Sequence, residues 1–373
     1  MKHRPLLLLL LLSLAFLVFG QTNAQTTTST VRADVNSPNQ NTAAALAALP
    51  EADTLIYLNP RRILNDAAPK VAPAKDLTSM RAAFLDLKKD LGVDPSTLDY
   101  IVIALRFHKP AADLSFVPPE IIAVASGDFS ADSLMTIAEL GLQDKAREEK
   151  YGARKIAIAK IDPVAAAAEK TPLLKSFSEI GFTALNTNTI AVGSIGYLKA
   201  ALDAADGNGR IANTAITSLL RDPNALMSAA GSPLAAFAKS FGLLGTQETA
   251  RDPRCETAFG NFYAAVTMEG NAFNVRGAMN ADNPDTAKII YGLFSGLFQQ
   301  AVSAVPDKDV QSILNAMKLT AQESEVVISA SIPEATVAEM IRQQSQPKTA
   351  SAPATAPAKK RVVRKKPRVV KRA

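Results

Sequence analysis

The sequence predicts an α+β protein built from two related strand–strand–helix halves with mainly antiparallel sheets. Apolar runs of strand length take turns with longer stretches of helical period. One passage also occurs twice. A strand at 121–125 leads to Gly127, and Ser130 then opens a helix through Leu134, Ile137 and Leu140. A strand at 272–276 leads to Gly277, and Asn283-Pro284-Asp285 opens a helix through Ile289, Ile290, Leu293 and Leu297. Each passage follows another strand, at 100–105 and 261–268 respectively. Recurrence of one supersecondary unit points to internal duplication.

The elements follow from local chemistry. Thr54-Leu55-Ile56-Tyr57-Leu58 is β-branched and aromatic and ends at Asn59-Pro60, so it reads as a strand. Residues 80–91 place Phe84, Leu87 and Leu91 on one helical face, with Lys88, Lys89 and Asp90 opposite and Gly92 as the stop. Residues 100–105 and 121–125 are strands joined by the Pro-containing stretch 109–119. Ser130 and Asn283 are good N-cap residues, and Pro284 suits the first helical turn. Two weaker echoes run from strand 189–193 into helix 197–202 and from strand 326–331 into helix 333–341. Alternation within these strands implies one face packed on helices and one more polar, the antiparallel pattern.

The N-terminus reads as an export leader. Lys2, His3 and Arg4 precede an unbroken run from Leu6 to Leu12 that continues through Phe19, before small and polar residues begin at Gly20. This run is too short for a membrane span, which needs about twenty apolar residues. Cleavage is expected after Gly20 or Ala24, giving an extracytoplasmic protein, periplasmic or secreted, with no transmembrane span in the mature chain. The expected organisation is a leader at 1–24, a Thr/Asn/Gln-rich spacer at 25–45, α+β halves at 46–215 and 216–345, and a Pro/Ala linker with a basic tail at 346–373.

Composition narrows the chemistry. Hydrophobic residues make up 47% and charged residues 20% of the 373-residue chain, the balance of a folded protein. Cys255 is the only cysteine, so no internal disulfide can form, and a thiolate metal site is excluded. A quiet thiol is the simple reading of Cys255, and an intermolecular bond the alternative. Of the two histidines, His3 leaves with the leader, so a catalytic triad would have to use His108 in a loop beside Lys109-Pro110. No Gly-rich phosphate loop and no nucleophile elbow is present. Ser345-Gln346-Pro347-Lys348 matches a Ser-x-x-Lys pattern, but Pro347 blocks the helical turn that would align it. Residues 203–209, with Asp203, Asp206 and two glycines, lack the alternating acids of a calcium loop and read as a helix-ending turn. The charged run 144–150 reads as a solvated helix face. Glu120, Asp128 and Glu269 stand at strand ends where a hydrolase could hold its acids, but the chain has no tryptophan for sugar stacking. No catalytic, cofactor-binding or metal-binding residue is assigned.

One interaction signal stands out. Lys359, Lys360, Arg361, Arg364, Lys365, Lys366, Arg368, Lys371 and Arg372 place nine cations in fifteen residues without an acid. Taking these nine, Lys2 and Arg4 from the formal net charge of +6 leaves −5 on the remainder. The tail is therefore a polyanion-binding module on a mildly acidic body, attracting phosphate-rich partners by counterion release. After export its nearest partners are anionic envelope polymers and lipid headgroups, with nucleic acid as the alternative.

The segment Leu49-Pro50-Glu51-Ala52-Asp53-Thr54-Leu55-Ile56-Tyr57-Leu58-Asn59, followed by Arg62-Ile63-Leu64, resembles the opening of a group of exported bacterial proteins of unknown function. The resemblance extends over residues 46–345 as repeated strand–Gly–helix passages and excludes the tail. It implies an exported α+β protein and transfers no catalytic residue. The expected function is a non-enzymatic envelope protein with a binding or scaffolding body. The rival readings are a carboxylate-dependent envelope hydrolase and an extracytoplasmic nucleic-acid binder.

Overall fold

The computed structural model describes residues 46–47, 49–107, 119–142, 146–161, 178–211, 222, 224–232, 260–304, 311 and 317–345. The leader, the spacer, the linker, the basic tail, His108 and Cys255 lie outside them.

The α+β expectation holds, with every strand pair antiparallel. The two halves do not form separate sheets. They share one 12-stranded sheet in the order β11-β12-β10-β9-β8-β1-β2-β3-β7-β6-β5-β4. Its strands are β1 (Thr54–Leu58), β2 (Leu98–Arg106), β3 (Glu120–Gly127), β4 (Ala146–Tyr151), β5 (Arg154–Lys160) and β6 (Glu179–Asn186). They continue with β7 (Thr189–Gly193), β8 (Ala225–Gly231), β9 (Phe262–Glu269), β10 (Ala272–Asn280), β11 (Lys318–Gln322) and β12 (Glu325–Pro333). The longer helices are α1 (Ala74–Leu91), α2 (Ala131–Leu142), α3 (Ile195–Ala205), α4 (Pro284–Ala304) and α5 (Glu334–Ser345). A shorter helical segment covers 60–71 and includes a π-helical turn at Ile63–Ala67.

The seam between the halves is the antiparallel pair β1–β8, with Leu55 opposite Ala230 and Tyr57 opposite Ser228. Outward from that seam the strand order is the same on both sides, β1-β2-β3-β7-β6 and β8-β9-β10-β12-β11. The second side runs β8, β9, β10, α4, β11, β12 and α5, and the first side keeps this order as β1, β2, β3, α2, β6, β7 and α3, with the 60–71 segment and α1 inserted after β1. The first side adds the β4–β5 hairpin beyond β6.

Period-2 side-chain alternation divides the sheet into two faces. On one, Leu55, Tyr57, Tyr100, Val102, Ile122, Val124, Ile156 and Ile158 pack with Tyr197, Leu198, Ala201 and Leu202 of α3. On the other, Ile101, Ile103, Ile121 and Ala125 pack near Ile63 of the 60–71 segment. Further along that face α5 brings Val337, Met340 and Ile341 onto Phe273, Ala330 and Ile332. There α5 also meets Ala67 and Val71, so the C-terminal helix closes over the N-terminal segment. Lys70 Nζ reaches Glu334 at 3.6 Å across this contact.

The caps act as the sequence predicts. Asn283 Oδ1 accepts from the N–H groups of Asp285 (3.1 Å) and Thr286 (2.9 Å). Ser130 Oγ accepts from Ser133 N at 3.2 Å. Gly92 ends α1 at φ 70, a left-handed position that costs glycine little. Residues 203–209 close α3 and form the turn that follows it; Asp203 accepts from the Tyr151 hydroxyl (2.9 Å) and Asp206 pairs with Arg154 (2.5 Å).

Three local readings need correction. The run 144–150, read as a helix face, supplies β4 at the sheet edge from Ala146 onward. Arg147 to Lys150 are all charged, so no alternation marks the strand, and the turn at Gly152 (φ 59) folds it back on β5. Gly277 does not end its strand, because β10 continues to Asn280. A Cβ at Gly277 would lie 2.7 Å from Ile328 Cγ2, so glycine serves packing there rather than termination. The helix read at 80–91 begins at Ala74, directly after Pro73.

Leu55→Ala empties a fully buried site in β1 and is expected to cost about 3 kcal/mol, whereas Leu85→Ala, at a residue 67% exposed, should cost under about 0.5 kcal/mol; urea unfolding compares them. Asp94 caps the turn before β2, accepting from Ser96 N (3.0 Å) and Ser96 Oγ (2.6 Å). The Ser96 hydroxyl, followed by the Ser96 amide and Lys88, holds its carboxyl below the usual range against an opposing effect of burial. A lowered folded-state pKa stabilises above the unfolded value and loses that contribution as pH falls through the folded one. Asp94→Ala should therefore destabilise by about 1 kcal/mol at pH 7, with the difference from wild type shrinking below about pH 4 in pH-dependent unfolding.

Candidate functional site

At the end of the sheet where β3 begins, β1, β2, β3 and the start of α3 bring charged groups together. Antiparallel register places Arg106, last in β2, opposite Glu120, first in β3. Arg106 Nε donates to Glu120 Oε2 at 2.7 Å, and Nη2 donates to the same oxygen. The guanidinium carbon lies 4.6 Å from the centre of the Tyr197 ring, a cation–π contact. Tyr197 is fully buried and donates its hydroxyl proton to the Glu51 carbonyl at 2.9 Å. Burial pushes that hydroxyl up beyond its ordinary range; Asp53, Glu120 and Glu51 add to the shift and Arg106 opposes it.

The surrounding backbone is tied into the same junction. Phe107 N donates to Asp53 Oδ2 at 2.7 Å, and Ile121 N donates to Ser194 Oγ at 3.1 Å. A Cβ on Gly196 would stand 3.2 Å from Glu120 Oε1, so the glycine lets the first turn of α3 approach the ion pair. Chemically the arrangement is a lock. A neutral tyrosine is held on a carbonyl, the arginine is shared between a carboxylate and a ring, and the Asp53 carboxylate is held by a backbone amide.

A second polar group laces the β4–β5 edge to α3. Lys199 pairs with Glu149, Arg147 reaches Glu179 (3.0 Å) and Glu149 (3.3 Å), and Lys155 reaches Glu148 (3.2 Å). The bond from Lys199 is the main cause holding the Glu149 carboxyl below its usual value. The bond to Asp203 is the main cause raising the Tyr151 hydroxyl. Charges spread along an edge strand discourage pairing with another strand.

The three carboxylates singled out from sequence do not converge. Glu120 and Asp128 flank the two ends of β3, about 26 Å apart at roughly 3.3 Å per residue. Glu269 ends β9, and β8, β1 and β2 separate β9 from β3, about 19 Å at the usual strand spacing. Paired glycosidase acids sit roughly 5–9.5 Å apart. Among the described residues no group of three or more His, Cys, Asp or Glu could hold a metal ion. No described helix is long and apolar enough to cross a membrane. The polyanion-binding set Lys359, Lys360, Arg361, Arg364, Lys365, Lys366, Arg368, Lys371 and Arg372 lies outside the described residues.

Sequence reasoning reached Glu120 but not its partners. Arg106 and Glu120 flank one connection at the facing ends of consecutive strands, a register cue that was available. Tyr197 stands 77 positions beyond Glu120, so no local pattern joins them.

Neither a family model nor a curated protein matches the chain. Three solved structures of TP0453, a Treponema protein, are similar to it. Crystal form III aligns with a TM-score of 0.44 at 12% identity, covering 80% of this chain and 97% of that one. Crystal form I gives 0.39 at 10%, covering 80% and 96%. Crystal form IV gives 0.40 at 11%, covering 79% and 95%.

In a double-mutant cycle, Arg106→Gln and Glu120→Gln should couple by about 1–2 kcal/mol, because the pair is half-buried and doubly bonded. The same cycle on the exposed pair Lys288–Asp285 should give under about 0.5 kcal/mol, with thermal unfolding as the readout.

Proposed function

We propose that this is an exported envelope protein without enzymatic activity, whose folded body is a binding or scaffolding element and whose basic tail holds it to phosphate-bearing surfaces. The observation that carries the reading is the concentration of nine cations within residues 359–373, joined to a remainder of opposite net charge. Clustered cations bind polyphosphate surfaces by releasing counterions, without a shaped pocket. The charged, apolar and small-residue order of positions 1–24 supports export, which brings the tail to envelope phosphates. The opening at residues 49–64 supports kinship with exported bacterial proteins of this general pattern.

The body is suited to holding rather than converting a partner. Its notable charged junction is consumed in internal pairing, and the carboxylates at its strand ends are too distant from one another for concerted acid–base work. The equal strand order on either side of β1–β8 supports a body made by doubling one β-β-β-α-β-β-α unit.

The test is co-sedimentation with lipid vesicles. The complete mature chain should bind phosphatidylglycerol vesicles and lipopolysaccharide, ignore phosphatidylcholine vesicles, and lose affinity steeply between about 50 and 200 mM salt. The chain lacking residues 346–373 should bind none of them. Equal binding with and without the tail, or binding indifferent to salt, rejects the tether. Preference for duplex DNA over phosphatidylglycerol at equal phosphate would transfer the tail to the nucleic-acid reading.

A further inference from the structure

The two outer edges of the sheet are built differently. On the first side the outer edge of β6 is covered by β5, whose residues Ile156, Ala157, Ile158 and Ala159 are buried. The corresponding strand of the second side is β11, and among the described residues nothing pairs with its outer edge. Four of the five β11 residues are exposed, with Leu319 partly covered. An open edge presents unpaired N–H and C=O groups as a template for a further strand.

Sequence decides which edge can meet its own copy. In an isologous antiparallel pair each residue faces its mirror position about a two-fold axis. For β4, a two-fold pairing keeps facing side chains on one side of the sheet only when centred on a residue, and centring it on Glu148 or Glu149 would set that carboxylate against its own copy. For β11, pairing about Thr320 would put Thr320 opposite Thr320, Lys318 opposite Gln322, and Leu319 opposite Ala321. No charges of like sign meet, and the apolar pair lies on the face covered by α4.

That helix adds a second layer. Through Ala287, Ile290 and Phe294 it packs on Leu319 of β11 and Val326 of β12, which places it over the open margin of the sheet. Flanking the inward stripe, Ile289 is 70% exposed and Tyr291 38% exposed. Gly292 and Gly296 have open space where a Cβ would stand, so another backbone can approach closely. Joining two β11 edges would set two α4 helices side by side on the same face of the sheet.

We infer that β11 and α4 form a homodimer surface: a second copy of this chain adds its β11 antiparallel to the first, centred on Thr320, and continues the sheet across the two-fold axis. Five residues of strand pairing plus one helix flank make a small interface, so association is of micromolar strength, on the order of 10 μM. The charged β4 edge stays outside it.

Sedimentation velocity on the mature chain tests this from about 1 to 100 μM, a range spanning that affinity. A monomer–dimer equilibrium is expected, and Thr320→Lys, which sets two lysines against each other at an exposed position, should weaken it about ten-fold or more without moving the urea midpoint. In a Cys255→Ser background, Thr320→Cys should form an intermolecular disulfide under mild oxidation, while Lys150→Cys on β4 should not. A chain that stays monomeric throughout overturns the inference, as does a dimer that tolerates Thr320→Lys and does not cross-link through position 320. Dimerisation only after removal of residues 346–373 also overturns it, and assigns the edge to the chain's own C-terminal segment.

Discussion

The pairing of β1 with β8 is the constraint on which the rest of the body depends. It joins two strand sets that are far apart in sequence and converts them into one sheet. Leu55 and Leu58 are nearly inaccessible there, and Tyr57 is 3% exposed, so β1 is apolar on both faces. A strand of that kind cannot stand at an edge, because its unpaired backbone groups and its side chains would both meet water. Its flanks are closed by β2 and β8, and its two faces by α3 and the 60–71 segment.

From that centre the charged groups acquire their roles. Arg106, Glu120 and Tyr197 sit where β2, β3 and α3 meet, and their contacts tie α3 to the strand ends on the first face. Half-buried charges persist where each has a partner, and a cation shared between a carboxylate and an aromatic ring meets that condition. At the β4 margin the same residue types serve a different end. Set along an edge strand, they make that edge a poor template for another strand. Place in the sheet, not composition, separates the two uses.

Much of the local architecture was legible in the sequence. β1 and β7 have the bounds read from their β-branched and apolar runs, and the caps at Ser130 and Asn283 bond as their chemistry predicts. The misreadings share a cause. In 144–150 the spacing of charges was compatible with a helix face, and only the reversal at Gly152 makes it a strand. At Gly277 the glycine looked like punctuation, whereas a side chain from β12 requires its lack of Cβ. The strands β5, β6, β8 and β11 passed unrecognised, and in the last three alanine and polar residues dilute the alternation. Of the charged junction only Glu120 was visible, since its partners come from another strand end and a distant helix.

Neighbours along the chain were enough to set β1 and β7, the helix starts at Ser130 and Asn283, and the separation of an acidic body from a cationic end. Tertiary structure alone decided which strands adjoin, that the two sides meet through β1 and β8, which edge stays open, and which partner each carboxylate receives. The reason is physical. Period-2 alternation states which side chains share a face but not which strand lies beside them, and pairing between distant segments is settled by the joint burial of many residues at once.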